Sequence, residues 1–295
     1  QEDLMCRLFG FRSAVPSSTH RSLVEADNAL VEQARLHPHG WGMGYFVGPD
    51  AYVLKSGDAA HTSDRFRLAS SRLRSQTFVV HVRQATVGAT DYLNAHPFRH
   101  GRWVFAHNGS LWGFDQLAPE LLRWIPAQRR ALILGETDSE HIFHYLLSQL
   151  EAAGWCPSGH LSVNDAQGAG KVLSEAVDQL YVLAAKLGLE PPILNFILTD
   201  GEVMFAMRAG KALYLSTQKH QCPDAETCPE PNKFCLLAER PESEPVNHML
   251  ISSEPIGQDD AWETLEQGEL VALGRDWRIS RQPPMPNWAP SSRVE

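Results

Sequence analysis

No stretch of the chain approaches the ~18 consecutive apolar residues that a bilayer-spanning helix needs, and the opening "QEDLM" has neither the basic start nor the apolar middle of a secretory signal. Runs of five or six basic residues are missing too. With a formal net charge of -9, the average field repels nucleic acid and anionic membrane surfaces, so neither is an expected partner. A small neutral or zwitterionic ligand fits better, and the expected compartment is the cytoplasm. Cysteine is scarce: five residues, an odd number with no even framework, suit a reducing environment in which each thiol is catalytic, buried or metal-bound. Internal repeats are absent, as is the regular strand-helix alternation of a parallel doubly wound sheet.

What is present is a chain of 295 residues, 43% of them hydrophobic, enough to bury a large core. Leu23, Ala26, Leu30 and Ala34 recur at helical spacing, which predicts a surface helix over 17–37 with Ser17 or Ser18 as its cap. "GWGMGYFV" and "AYVLKSG", separated by Gly-Pro-Asp, read as a hairpin. "TFVVHVRQA" and "RWVFAHNGSL" read as strands that end in polar residues, where a sheet emerges into a cleft. Thr137 followed by Glu140 is a capping box opening a helix with Ile142, Tyr145, Leu146 and Leu150 on one face. A second helix is expected over 170–187, then strands on either side of the Asp200-Gly201 turn, and two more in "NHMLISSEP" and "ELVAL". The Pro- and Ser-rich end, "RQPPMPNWAPSSRVE", reads as a tail.

Residues able to carry chemistry follow a particular order. Cys6 begins "CRLFGF"; Arg83 lies in "HVRQATVG"; Asn94 to Phe98 form "NAHPF"; Asn108 and Gly109 lie in "AHNG"; Asp138 lies in "GETDSE"; and Ser252-Ser253-Glu254-Pro255 follows late. This order resembles the class II glutamine amidotransferases, whose glutaminase domain belongs to the N-terminal-nucleophile hydrolases. The resemblance runs over residues 6–275 and is greatest to a stand-alone branch with "CRLFG", "HVR-AT" and "GWG", a branch that includes the ergothioneine-pathway γ-glutamyl amidohydrolase. It implies an α+β fold, a four-layer αββα sandwich with two stacked, mostly antiparallel sheets. Residues 1–5 are then a tag remnant or a propeptide, and 276–295 a C-terminal tail.

The resemblance also implies roles, and the residue types suit them. Cys6 is the candidate nucleophile, with its own α-amine as base once Met5 and the residues before it are removed. The Asn108 amide and the Gly109 N–H are the candidate oxyanion donors. Arg83, with Thr86 nearby, is placed to grip an α-carboxylate in a planar fork, and Asp138 to take the α-ammonium. No metal or other cofactor is required. The alternatives are a structural Arg83-Asp138 ion pair and an ordinary type I′ turn at Asn108-Gly109. His81, His96 and His107 lack the fixed spacing of a ligand set. Cys222, Cys228 and Cys235 match no familiar zinc ribbon, and read as an exposed loop, with a zinc site or an oxidised pair as alternatives.

Two departures matter. Synthase-linked relatives carry Trp and His around the substrate arginine, as in "TRWATHG", where this chain has Gln84 and Val87. Free glutamine is therefore less strongly implied than a γ-glutamyl amide. About twenty residues follow the glutaminase-like region, so an ammonia acceptor is expected, if at all, on a separate synthase chain. An inactive fold used as a binding module is the third reading, in case residues 1–5 stay attached and lock the α-amine in a peptide bond.

Overall fold

The computed structural model describes residues 6–36, 39–83, 93–155, 165–221 and 244–284. Strand β1 (Arg7–Ser17) leads into one π-type turn at Arg21–Glu25, a short helix α1 (Leu30–Gln33) and a 3-10 turn at Ala34–Leu36. The hairpin β2 (Trp41–Val47) and β3 (Asp50–Ser56), helix α2 (Asp64–Arg72) and β4 (Ser75–Val82) follow. Next come β5 (Phe98–His100), β6 (Trp103–Ser110), α3 (Phe114–Arg123), α4 (Ala127–Arg130), α5 (Asp138–Ala152) and α6 (Ala166–Lys186). The last strands are β7 (Ile193–Thr199), β8 (Met204–Met207), β9 (Tyr214–Lys219), β10 (His248–Ser252), β11 (Asp260–Thr264), β12 (Leu270–Leu273) and β13 (Ile279–Gln282).

Among the described residues these strands build a seven-stranded sheet, β11-β9-β10-β1-β4-β2-β3, and a six-stranded sheet, β13-β12-β8-β7-β6-β5. Every pairing between neighbouring strands is antiparallel. Alternation of side chains along each strand divides the core into three layers. Leu8 and Val79 of the first sheet meet Val104, Ala106 and Ile197 of the second in the middle layer. Phe9, Phe78 and Val80 point the other way, against Leu23, Leu30 and Phe66 of the short helical segments. Phe105, Phe196 and Phe205 pack against Phe143, Leu146, Val177 and Leu180 of α5 and α6. The order helix, sheet, sheet, helix is the αββα sandwich that the resemblance implies.

Where the surface helix over 17–37 is expected, the chain is broken instead. Ala26 and Ala29 are extended, and between them the Asn28 side-chain amide donates to Glu254 Oε2 at 3.2 Å and to the Pro255 carbonyl at 2.9 Å. A short polar side chain spent on distant partners leaves the helix uncontinued, while Leu23, Leu30 and Ala34 are still buried. Residues 279–282, inside the 276–295 tail that the resemblance implies, add edge strand β13 to the second sheet through β12.

Candidate active site

Two strands from different sheets deliver the site. On β1, Leu8 faces the middle layer, so the residue two before it, Cys6, faces the same way just ahead of the strand. On β6, Val104 and Ala106 face the middle layer, and Asn108 follows on that face, 3% exposed. Both runs end at the same edge of the sandwich: the Asn108 side-chain Nδ2 donates to the Cys6 carbonyl oxygen at 2.7 Å. That contact orients the amide, because the reversed rotamer would set two oxygens against each other. One Nδ2 proton is thus engaged by the Cys6 carbonyl.

Asn108-Gly109 is not a turn. Both residues lie in β6, paired with Asn195 and Leu194 of β7. Glycine is required at 109 for a different reason: a Cβ there would fall 1.9 Å from the Ile193 carbonyl oxygen and 2.7 Å from His107 Nε2. His107 fills the space instead. Its Nε2 lies 2.9 Å from the Ile193 oxygen and its Nδ1 2.9 Å from Ser139 Oγ. Burial pushes His107 below the ordinary imidazole range, opposed by nearby Asp138 and the Ile193 carbonyl. In the neutral ring the proton therefore belongs on Nε2, donated to Ile193, which leaves Nδ1 as an acceptor facing Ser139 Oγ.

Asp138 opens α5. Thr137 Oγ1 caps the helix by accepting from the Glu140 N–H at 3.3 Å, as the capping box predicts. The reciprocal half is missing, because the Glu140 carboxylate accepts instead from the Leu134 and Gly135 amides at 3.2 and 2.6 Å. Asn94, from "NAHPF", accepts from the Glu136 N–H at 3.0 Å. The loop before α5 is thus pinned from two sides. Asp138 itself, 7% exposed, accepts from the Leu111 N–H at 2.7 Å through Oδ2. Its Oδ1 lies 3.2 Å from Ser139 Oγ, whose single proton serves either Asp138 or His107. Asp138 is therefore tied to the chain two residues beyond Gly109.

Arg83 sits one rung past the end of β4. Its N–H donates to the Gly40 carbonyl at 2.9 Å and its carbonyl accepts from His39. β1 and β4 pair Arg7 with Val82 and Leu8 with His81, so continuing that register sets Arg83 opposite Cys6. The guanidinium residue is buried, 6% exposed. Thr86, like Gln84 and Val87, lies outside the described residues, as do Cys156, Cys222, Cys228 and Cys235.

Beside Arg83 the ring centroids of His81 and His96 lie 4.3 Å apart with the rings tilted by 34°, and that of His107 lies 6.4 Å from His96. Burial, then the neighbours His81, His107, Lys55 and Arg83, hold His96 well below the usual imidazole range. Among the described residues no group of three or more His, Cys, Asp or Glu could hold a metal ion. The same residues contain no helix long and apolar enough to cross a membrane. The "GWG" motif also gains a purpose: a Cβ on Gly42 would lie 2.0 Å from the His96 carbonyl oxygen, so glycine lets "NAHPF" cross β2 in contact.

The Ser253-Glu254 pair and Ser139 have no role legible in the sequence. In the fold, Ser253 Oγ accepts from the Leu8 N–H at 2.9 Å and Glu254 pairs with Arg7 at 2.5 Å. The signal for both is their place in a motif that composition alone does not explain.

Comparison with known proteins places the chain in a family. The family model for class-II glutamine amidotransferases matches residues 5–293. A putative glutamine amidotransferase, YafJ, of Escherichia coli is 25% identical over 280 residues, covering 92% of this chain and 98% of that protein. The gamma-glutamyl-hercynylcysteine sulfoxide hydrolase of Mycobacterium tuberculosis is 35% identical over 75 residues, 25% of this chain and 32% of its own length. Among solved structures, a glutamine aminotransferase class-II domain protein from Silicibacter pomeroyi superposes with a TM-score of 0.61 at 18% identity, covering 95% of this chain and all of that one. With the family model matching nearly its whole length, the chain belongs to the class-II glutamine amidotransferases, enzymes that hydrolyse the amide C–N bond of glutamine.

Proposed function

We propose that the protein is a cysteine-dependent amidohydrolase that cleaves a γ-glutamyl amide through a γ-glutamyl thioester on Cys6. The observation that carries this reading is the contact between the Asn108 amide and Cys6, which brings an oxyanion donor and a nucleophile from separate sheets to one edge. Cys6 Sγ attacks the side-chain carbonyl carbon, and the thiol proton passes to the free α-amine of Cys6. The second Asn108 Nδ2 proton and the Gly109 N–H stabilise the oxyanion. As the tetrahedral adduct collapses, the C–N bond breaks and the α-amine returns its proton to the departing nitrogen. Water, deprotonated by the same amine, then cleaves the thioester to release a γ-carboxylate and restore the thiol.

Arg83, opposite Cys6 in the extended register, holds the substrate α-carboxylate, a role in which the sequence motif also enlists Thr86. Asp138, fixed by Leu111, takes the α-ammonium. Residues 6–275 form the catalytic domain in this reading. A γ-glutamyl conjugate, rather than glutamine alone, draws support from Gln84 and Val87 in place of the Trp and His of synthase-linked relatives, and from the partial similarity to the mycobacterial hydrolase.

The test is a panel of γ-glutamyl amides, glutamine included, offered to protein beginning at Cys6. Intact-mass measurement after rapid acid quench is expected to find one γ-glutamyl group on Cys6 and none on Cys6→Ala. An unlabelled Cys6 during turnover, or turnover by Cys6→Ala, removes the thioester from the mechanism.

A further inference from the structure

The sandwich fixes not only the partner of Cys6 but the two residues that follow it. The regular β1-β10 ladder stops at Phe9 and Ser252. Beyond it the Ser253 N–H donates to the Leu8 carbonyl at 3.1 Å, while the Leu8 N–H donates to the Ser253 side-chain oxygen at 2.9 Å. A hydroxyl here replaces the main-chain carbonyl that a longer ladder supplies, so Leu8 remains held on the β10 side after the strand pairing ends. One residue closer to the site, Arg7 points away from the middle layer and is only 7% exposed. A guanidinium at such a depth needs a counter-charge, and Glu254 supplies it at 2.5 Å. Glu254 is held in turn by the Asn28 amide, which also grips the Pro255 carbonyl.

We infer that Ser253 and Glu254 are positioning residues for Cys6: together they lock Leu8 and Arg7 in register, so that the residue before them faces Asn108. Side chains alternate along a strand, so a slip of one residue at the start of β1 would exchange the faces of Cys6 and Arg7. Tying Arg7 to the helix side through Glu254 opposes that slip, because the exchanged register would part a buried guanidinium from its carboxylate. Neither Ser253 nor Glu254 has to touch substrate for this. The broken helix after β1 belongs to the same device, since the break frees Asn28 to reach Glu254.

This inference rests on the proposed role of Cys6, and the experiment separates the two. Glu254→Gln, Ser253→Ala and Ser253→Thr are compared with the unmutated chain, all beginning at Cys6, with Cys6→Ala alongside. Misplacement of a reacting group by about 1 Å costs on the order of 100-fold in rate. The expected result is therefore a fall in kcat for glutamine of about 10- to 100-fold in Glu254→Gln and Ser253→Ala, with KM changed less than about twofold. Ser253→Thr, which keeps the hydroxyl, should restore most of the rate.

Alkylation of Cys6 by iodoacetamide, followed on the Cys6 peptide against pH, gives a readout that needs no substrate. Its midpoint should rise toward that of an ordinary thiol, about 8.5, in the two damaging variants. A kcat within about twofold of the unmutated value in both damaging variants, or a loss carried by KM, overturns the inference. So does an alkylation midpoint unmoved by either change. If Glu254→Gln does not fold, the Ser253→Ala and Ser253→Thr pair decides alone. If Cys6→Ala proves active, the nucleophile assignment is what fails, and the alkylation midpoints still judge the positioning.

Discussion

Asn108 and Cys6 come from different sheets and meet through a 2.7 Å hydrogen bond from a side-chain amide to a main-chain oxygen. In the proposed mechanism the amide nitrogen so held offers its second proton to the substrate oxyanion. Asn108→Asp preserves shape but replaces that donor with an oxygen facing the Cys6 carbonyl. Loss of one oxyanion donor typically costs about 10²–10³ in kcat, and the expected fall in glutamine hydrolysis is of that size, with little change in KM. Steady-state kinetics check it; a loss confined to KM assigns Asn108 to ground-state binding instead.

Arg83 and Asp138 are expected to divide recognition of the amino-acid end. Arg83→Lys should lose most affinity, since an ammonium cannot reproduce the planar two-pronged grip. Asp138→Asn can still accept from the Leu111 N–H, so the strand-to-helix link survives while the charge is lost. Its KM for glutamine should rise at least about tenfold, as removal of a charge-assisted bond of ~1.5–3 kcal/mol implies, with thermal stability close to unmutated. A kcat/KM within about twofold of the unmutated value in Arg83→Lys removes the carboxylate grip from the account.

Much of this site is legible in sequence because its parts obey local rules. "TFVVHV" and "WVFAHNG" alternate strongly enough to be strands, and their polar ends lie where a sheet edge opens. Thr137 caps its helix as read. What sequence misjudges depends on distant contacts. Asn-Gly normally marks a hairpin turn, yet Gly109 is glycine because the Ile193 carbonyl passes beside it. The periodicity after residue 17 is genuine, yet Asn28 is drawn off by Glu254 and Pro255 from the far end of the chain. Glu140 is present as the capping box requires, yet its carboxylate holds Leu134 and Gly135. In each case tertiary structure uses a locally meaningful residue for a non-local partner.

Acidification should destabilise the fold through buried imidazoles. Burial pushes His144 down to about 3, helped by nearby His100, Arg129 and His141, and burial also lowers His96 and His107. An unfolded histidine titrates near 6.5. Above that pH neither state is charged and the group has no effect. As pH falls below ~6.5, the unfolded chain binds a proton that the folded chain refuses, so stability is lost at up to about 1.4 kcal/mol per pH unit for each group. For His144 the loss continues toward pH 3. Urea unfolding at pH 7 and pH 5 should show a drop that His144→Gln lessens by on the order of 1–2 kcal/mol. Equal drops in the two proteins would mean that His144 is protonated in the fold.

In the proposed mechanism the free α-amine of Cys6 is the remaining requirement. An unperturbed α-amine titrates at about 7.7–8.0 and so can accept the thiol proton near neutrality, whereas a nitrogen acylated by Met5 is an amide without useful basicity. General-base assistance is worth about 10²–10⁴-fold. The 295-residue chain should therefore turn over γ-glutamyl amides slower by about that factor than a chain beginning at Cys6. Binding should differ little, because the contacts assigned to Arg83 and Asp138 do not use the terminus, so both forms are expected to take up glutamate with similar affinity in calorimetry. The pH profile adds a second check: kcat/KM of the shorter chain should rise with pH as the amine loses its proton, and the longer chain should lack that limb. Equal rates from the two forms would exclude the α-amine as base and move the role to another group at the Asn108 edge.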